Sequence, residues 1–544
     1  MKRKLLTLGV ALIFTLSATL SAFAATNPAK IITRNWTNFR GNQSHNAVVS
    51  DKLPTSAENA ALYWATKAGE GYGDGAIGSP ILVDGYLYFN QGKKIKKMDA
   101  MSGKVVATGK MVERSNFSII PPTYGDGKIF VGLANGRIQA FDAKTLKSLW
   151  VYQDKLKGQP NSPITYYKGY VYTGFWNSET RIANFACVSA KDGNTKKTTE
   201  KKSARWVYPN AGGYYWAGAY VNDNFVLVGT DDGDGGYTSQ TSRLLSLSPK
   251  TGKKIDSIEG LNADIRSNVS YDKVTDRYYF TSKGGSFYSV KVSKTGKLSD
   301  LKELDLGGMS TSTPAIYNGR AYVGVSGKGQ FDKYNGHRIA VIDLASFTIA
   351  YTASCMGYPQ TSGLISTAYE KSEGYVYVYF FENMTPGKLR YLKDKPGQTE
   401  VVDAVTETAA DGKTYTCAPV LFTPQQEQAQ YAICSPICDE YGTIYFKNDS
   451  AHMMALGSKI TSIKVTKQPK KTVYQAGEKF SKTGMKVTAY LANGKKKDIS
   501  QYVTVSTFPL KKGTRDITVY YQYQLYNDME QCDTLFTSVD ITVK

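Results

Sequence analysis

A unit of about forty residues recurs along most of this chain, and that period limits the folds open to it. The clearest copy starts at Ser79-Pro80-Ile81, turns at Asp84-Gly85 and runs through Tyr86-Leu87-Tyr88-Phe89. It resumes at Met98-Asp99-Ala100-Met101-Ser102-Gly103. A second copy carries Pro122, Asp126-Gly127 and Ile129-Phe130-Val131-Gly132, then Ala140-Phe141-Asp142 up to Trp150. A third has Ser162-Pro163-Ile164, Gly169 and Val188 to Gly193. The steps from Pro80 to Pro122 to Pro163 are 42 and 41 residues, and later copies are stretched by insertions. Weaker copies follow near Phe225 to Gly252, Arg277 to Gly296, Ser312 to Asp343, Gly374 to Val378 and Ser435 to Phe446. That makes eight units, with seven as the alternative count. Alternating aromatic and β-branched residues between turn signals are what propeller blades require.

Both ends of the repeat array are informative. The last unit stops at Ala455-Leu456 without its final strand, while Leu62-Tyr63-Trp64 reads as a final strand with no blade before it. The sequence therefore predicts that Trp64 completes the last blade and that the ring closes by pairing its two ends. Closure would shield edges that otherwise invite aggregation.

Ala140 to Trp150 resembles the tryptophan-docking motif of pyrroloquinoline-quinone-like (quinoprotein-type) β-propeller repeats, with Leu146 where that family prefers Gly. Met98 to Gly103 and Val188 to Gly193 match the Asp/Gly part without the terminal Trp, and Tyr351 stands in its place after Val341. Trp36, Phe39-Arg40-Gly41-Asn42 and Asn46 resemble the opening common in these proteins. The resemblance implies that Trp64, Asp99, Gly103, Asp142, Trp150, Gly193, Gly252 and Asp343 dock one blade on the next. It also raises pyrroloquinoline quinone with Ca²⁺ as a cofactor pair, although no Cys-Cys dipeptide occurs and no catalytic set is identifiable.

Lys2, Arg3 and Lys4, the apolar run Leu5 to Leu20 and Ala22-Phe23-Ala24 read as a secretory signal over residues 1–24. The propeller is then expected over 25–456. Residues 457–544 carry no propeller repeat and hold an excess of basic residues. Their short strand-like runs, with turns at Gly477, Asn493-Gly494 and Gly513, predict a β-sandwich resembling bacterial immunoglobulin-like domains. The expected class is all-β throughout.

Charge and composition bear on function. The formal charge is +21 with only three histidines, which leaves little room for histidine-based catalysis or a multi-histidine metal centre. An exported basic protein is expected to meet an anionic wall polymer loosely, with no specific nucleic acid as partner. No stretch after the signal is long and apolar enough to span a membrane.

Trp176, Tyr214, Tyr215 and Trp216, among Gly and Asn, suggest a platform for a protein or glycan. Asp231, Asp232 and Asp234 could meet a hard cation, yet lack the usual loop order, and an acidic hairpin loop is the plainer reading. Cys417, Cys434 and Cys438 suggest a disulfide between two of them, since export favours oxidation. The function expected from these readings is non-catalytic binding or scaffolding at the cell surface. The alternatives are a quinone-dependent dehydrogenase and a scaffold in envelope assembly.

Overall fold

The computed structural model describes residues 31–544, apart from 72–76, 116–119, 195, 197–198, 234–239, 328–335, 410–411 and 525–531. The expected signal over 1–24 and Asp234 lie outside the described residues. The rest is built almost entirely of strands.

Eight sheets follow one another along residues 48–458. The first sheet shows the pattern: Ile81–Val83, Tyr86–Gln91, Lys94–Asp99 and Val105–Lys110 pair in order, all antiparallel. Asp84 and Gly85 both take positive φ (49° and 74°), the conformation of a two-residue hairpin whose twist matches that of its strands. Asp126-Gly127 and Asn318-Gly319 repeat this device in the second and sixth sheets. Middle strands such as Lys128–Leu133 are buried on both faces, while the outer strand Leu298–Asp305 of the fifth sheet is mostly exposed.

Seven apolar clusters join each sheet to the next. One packs Ile81 and Tyr88 against Ile129 and Phe141, and the series continues sheet by sheet to Tyr322 and Val341 against Val378 and Phe380. The largest cluster packs Tyr379 and Phe381 of the seventh sheet on Phe446 and Met454 of the eighth, and these in turn on Leu87 and Phe89 of the first. Strand Ala60–Lys67 pairs antiparallel with His452–Ser458 in the eighth sheet, with Trp64 opposite Ala455.

Tryptophans pin neighbouring sheets together. The Trp64 indole donates to Ala100 O (3.1 Å), that of Trp150 to Ala190 O (3.3 Å) and that of Trp206 to Pro249 O (3.0 Å). A Cβ at Gly103 would fall 2.7 Å from the Trp64 ring, and one at Gly252 would fall 2.5 Å from Trp206. Leu146 keeps the glycine-like backbone of the motif at φ 56°. Asp99, Asp142 and Asp343 each accept two backbone N–H groups within the following turn. Trp206 corrects the sequence reading: the third unit does have its tryptophan, displaced beyond an insertion that carries strand Glu200–Lys202. Gly193 takes no tryptophan on its Cα; its nearest contact would be Glu200.

Residues 460–544 form two three-stranded sheets, Ile460–Lys467/Lys486–Leu491/Lys496–Asp498 and Thr504–Val505/Asp516–Gln524/Cys532–Asp540. A parallel pair, Val473–Tyr474 with Thr542–Val543, joins them. Val487, Ala489, Val519, Tyr521 and Val539 fill the space between. Only Lys459 separates this sandwich from the eighth sheet. Lys497, 5% exposed, reaches Asp439 (3.5 Å) and Thr443 (3.3 Å) there, and the Tyr502 hydroxyl donates to Asp99 (3.1 Å).

Candidate functional site

The inner strands line an axis, and residues 31–49 run around it on one side. Their order in sequence follows the order of the sheets. Tyr441 donates to Ile31 O, Trp36 pairs with Leu82, Tyr124 N–H bonds Thr37 O, and Gln43 donates to Val221 O. Tyr271 N–H then bonds Ser44 O, Asn46 brackets Ile316, and Val48–Val49 pairs parallel with the seventh sheet. His45 Nδ1 lies 3.1 Å from Val269 O, and burial lowers its pKa to about 4, so the ring is neutral. This strap makes backbone and side-chain bonds to successive sheets, chiefly at their first strands.

Beside this strap, a narrow cleft lies among the segments that precede the inner strands. Phe39, Pro163, Trp216, Arg266, Thr313 and Ser435 are among its walls, and it encloses about 50 Å³. A cluster that joins two of the sequence-predicted groups stands at its edge. Gly212 and Gly213, both at positive φ, turn the chain ahead of Tyr215 and Trp216, and Trp216 lines the cleft. Tyr215 meets Trp176 edge-on at 5.0 Å and lies 4.9 Å from Trp216. The Arg266 guanidinium stacks 4.4 Å above the Tyr215 ring, a favourable cation–π geometry. Tyr214 corrects the expectation: it is fully buried, packs on Phe185, and belongs to the core between the third and fourth sheets.

Arg266 is the electrostatic centre of the cluster. Its Nε and Nη2 contact both oxygens of Asp231 (3.2 and 2.7 Å), and Nη2 also reaches Asp264 (2.9 Å) and Glu179 (3.2 Å). The Trp176 indole donates to Asp231 Oδ2 (3.0 Å), and Asp232 N–H bonds Asp264 Oδ1 (3.1 Å). Burial pushes Asp231 up to about 8 against the pull of Arg266. Burial, with Arg266 nearby, lowers Lys283 to about 8. Burial alone would lower Arg266 too, but the carboxylates outweigh it and hold its pKa above the usual value.

The metal reading of Asp231 and Asp232 is corrected by this geometry. Both are buried, and the cation that Asp231 meets is the guanidinium of Arg266, which also binds Asp264. Among the described residues no group of three or more His, Cys, Asp or Glu side chains is placed to hold a metal. The residues at this cleft, as arranged, offer no ready seat for a quinone with Ca²⁺. Pockets that bury a drug-sized ligand span roughly 300–1,000 Å³, well above this cleft, and the acidic oxygens a hard cation would use already face Arg266.

The expected disulfide is also corrected, because Cys417, Cys434 and Cys438 are all buried free thiols. Cys417 ends a strand beside the sixth sheet near Arg390 and Glu407. Cys434 faces Lys447 and Arg40, and Cys438 faces Asp51 and Arg34, so the three occupy separate surroundings. Arg266, Asp264, Glu179 and Lys283 were missed from the sequence, where Glu179 stands some 85 residues before Asp264 and no motif links them.

Comparison with known proteins places these features. The family model described as outer membrane protein assembly factor BamB matches residues 54–208, and that of bacterial Ig-like domains, group 3, matches 467–527. The dehydrogenase subunit of quinone alcohol dehydrogenase from Gluconobacter oxydans (strain 621H) is 26% identical over 242 residues, 41% of this chain and 29% of that protein. The corresponding subunit of Acetobacter aceti is 25% identical over 247 residues, 42% of this chain and 30% of that protein. The chain thus spans under a third of the length of these curated relatives. The solved quinohemoprotein alcohol dehydrogenase of Comamonas testosteroni superposes with a TM-score of 0.56 at 14% identity, covering 81% of this chain and 83% of its own, a likeness of fold. The chain joins a quinoprotein-type repeat domain of propeller fold to a bacterial Ig-like domain of group 3.

Proposed function

We propose that this protein is an exported, non-catalytic binding protein of the cell envelope, built on a closed ring of eight blades. Pairing of Ala60–Lys67 with His452–Ser458 supports closure, and the cyclic run of apolar clusters supports the count. The observation that carries the non-catalytic reading is the state of Arg266. Its guanidinium is bound by Asp231, Asp264 and Glu179, which leaves neither a free cation for a quinone carboxylate nor free carboxylates for a metal. Trp216 and the exposed rim of the cleft then present a surface to a protein or glycan. A dye-linked assay of the purified chain with pyrroloquinoline quinone, Ca²⁺ and a panel of alcohols and sugars should give no turnover. Substrate-dependent dye reduction would overturn the reading.

The second reading, a quinone-dependent dehydrogenase, is the one the curated relatives favour. An envelope-assembly scaffold draws its support from the family model over 54–208. Loose attraction to an anionic wall polymer is supported by the Ig-like sheet, where exposed Lys464 and Lys496 flank Tyr490 at 5.5 and 5.3 Å with Lys486 on the same sheet. Binding to isolated walls should fall steeply with salt, because exposed charges are screened beyond about 8 Å at physiological ionic strength. Undiminished binding at high salt would remove electrostatics as its main force.

A further inference from the structure

Arg40 lies in the strap, and its surroundings differ from those of Arg266. It is 2% exposed and held at φ 63° between Phe39 and Gly41. Its Nη2 donates to Gly363 O, and its Nη1 is buried with no hydrogen-bond partner. No carboxylate among the described residues forms an ion pair with it. A guanidinium does not shed its charge in proteins, so burial without a counter-charge is costly. Burial pulls its pKa down to about 9, with only the Cys434 thiol acting in the other direction.

A second donor shares its position. Trp36 is 3% exposed, and its indole Nε1 is likewise buried without a partner. Trp36, Arg40 and Ser435 line one void of about 10 Å³, the low end of the room one water needs, so a larger ion must widen it by small shifts of these side chains. Ser435 Oγ accepts the Ser362 N–H, which leaves its own hydrogen to point elsewhere. Asn38 stands on the same wall with its amide oxygen unpaired, so turning that amide would add a further donor. Phe39 and Ser435 also border the axial cleft, so the void and the cleft share a wall.

We propose that this void is a binding site for a halide-sized monoanion such as chloride, held by Arg40 Nη1, Trp36 Nε1 and the Ser435 hydroxyl. Unpartnered buried donors around one cation are the complement of such an ion, and the ion would neutralise the strap where it crosses the axis. The site is independent of whether the protein catalyses a reaction. It would couple the seating of residues 31–49 to anion concentration through simple mass action.

The test uses the full chain in halide-free sulfate buffer. Chloride and bromide titrations at constant ionic strength should raise the thermal midpoint saturably, and bromide-soaked crystals should give an anomalous peak beside Arg40 Nη1. Arg40→Met should abolish both effects. Trp36→Phe keeps the ring and removes only the N–H, and should weaken halide binding about tenfold, as loss of one hydrogen bond to a charged partner predicts. It serves as the readout should Arg40→Met fold poorly. The proposal is overturned if halides stabilise no more than sulfate, if an ordered water occupies the void in saturating bromide, or if Trp36→Phe leaves halide affinity unchanged.

Discussion

Two arginines are buried along the same axis, and the protein treats them in opposite ways. Arg266 is ringed by Asp231, Asp264 and Glu179 and stacked on Tyr215. Arg40 meets one carbonyl oxygen and leaves a nitrogen without a partner. The first is a closed electrostatic unit, whose parts are used up on each other. The second is open and complete only with something that the chain does not supply. Chemistry at the axis is therefore expected where charge is left over, in the strap, and not at the cluster that looks richest in functional groups.

The largest expected effect follows from breaking the closed unit. Arg266→Met leaves Asp264 buried without its cation and removes the pull that opposes burial at Asp231, and should cost about 3–5 kcal/mol in denaturant unfolding. Arg40→Met in halide-free buffer should cost under about 1 kcal/mol or stabilise the fold, since it removes an unpaired charge. Equal losses in the two variants would end the contrast. Lys497 extends the test beyond the axis, as a buried cation paired with Asp439 across the two domains. Lys497→Met should cost roughly 1.5–3 kcal/mol and separate the unfolding of the Ig-like domain from that of the propeller in calorimetry. A single unshifted transition would show that the domain contact contributes nothing.

Proton linkage sharpens the contrast further. His45 in the strap has a pKa lowered from 6.5 to about 4 by burial, so the unfolded chain binds the extra proton first. Stability should fall as pH drops from about 6.5 to about 4, with a slope of up to about 1.4 kcal/mol per unit, and His45→Gln should flatten it. Asp231 behaves in the reverse sense. Its pKa is raised from 3.8 to about 8, so the folded chain holds the proton longer and stability falls as pH rises through that window. Asp231→Asn should remove that decline. Among the changes within the Arg266 cluster the smallest is expected for Trp176→Phe, which loses one bond to Asp231 and should cost about 1–2 kcal/mol.

Sequence alone carried most of the fold, because blade packing repeats a local rule. Trp64 and Trp150 were legible as docking residues, as were the hairpins at Asp84-Gly85 and Asp126-Gly127, since each depends on residues close in the chain. Trp206 was not, because an insertion moved it away from its motif. The site was legible only in pieces. Trp176, Tyr215, Trp216 and Asp231 were singled out as two separate groups, and Arg266 joins them across sheets 35 residues apart from Asp231. Tyr214 differs from its neighbours because the chain bends here, with Gly212, Gly213 and Trp216 all at positive φ, so adjacent aromatic side chains take different directions that composition does not reveal. Arg40 stands in an opening motif that the sequence makes visible, but nothing in sequence tells that a cation there lacks a counter-charge.

The central claim is that Arg266 and its carboxylates leave no place for a quinone. Equilibrium dialysis of the full chain against pyrroloquinoline quinone and Ca²⁺, followed by the quinone's absorbance and by tryptophan fluorescence, tests it most directly. The account predicts no saturable binding and no quenching of Trp216. Stoichiometric, Ca²⁺-dependent binding that Arg266→Met abolishes would contradict it.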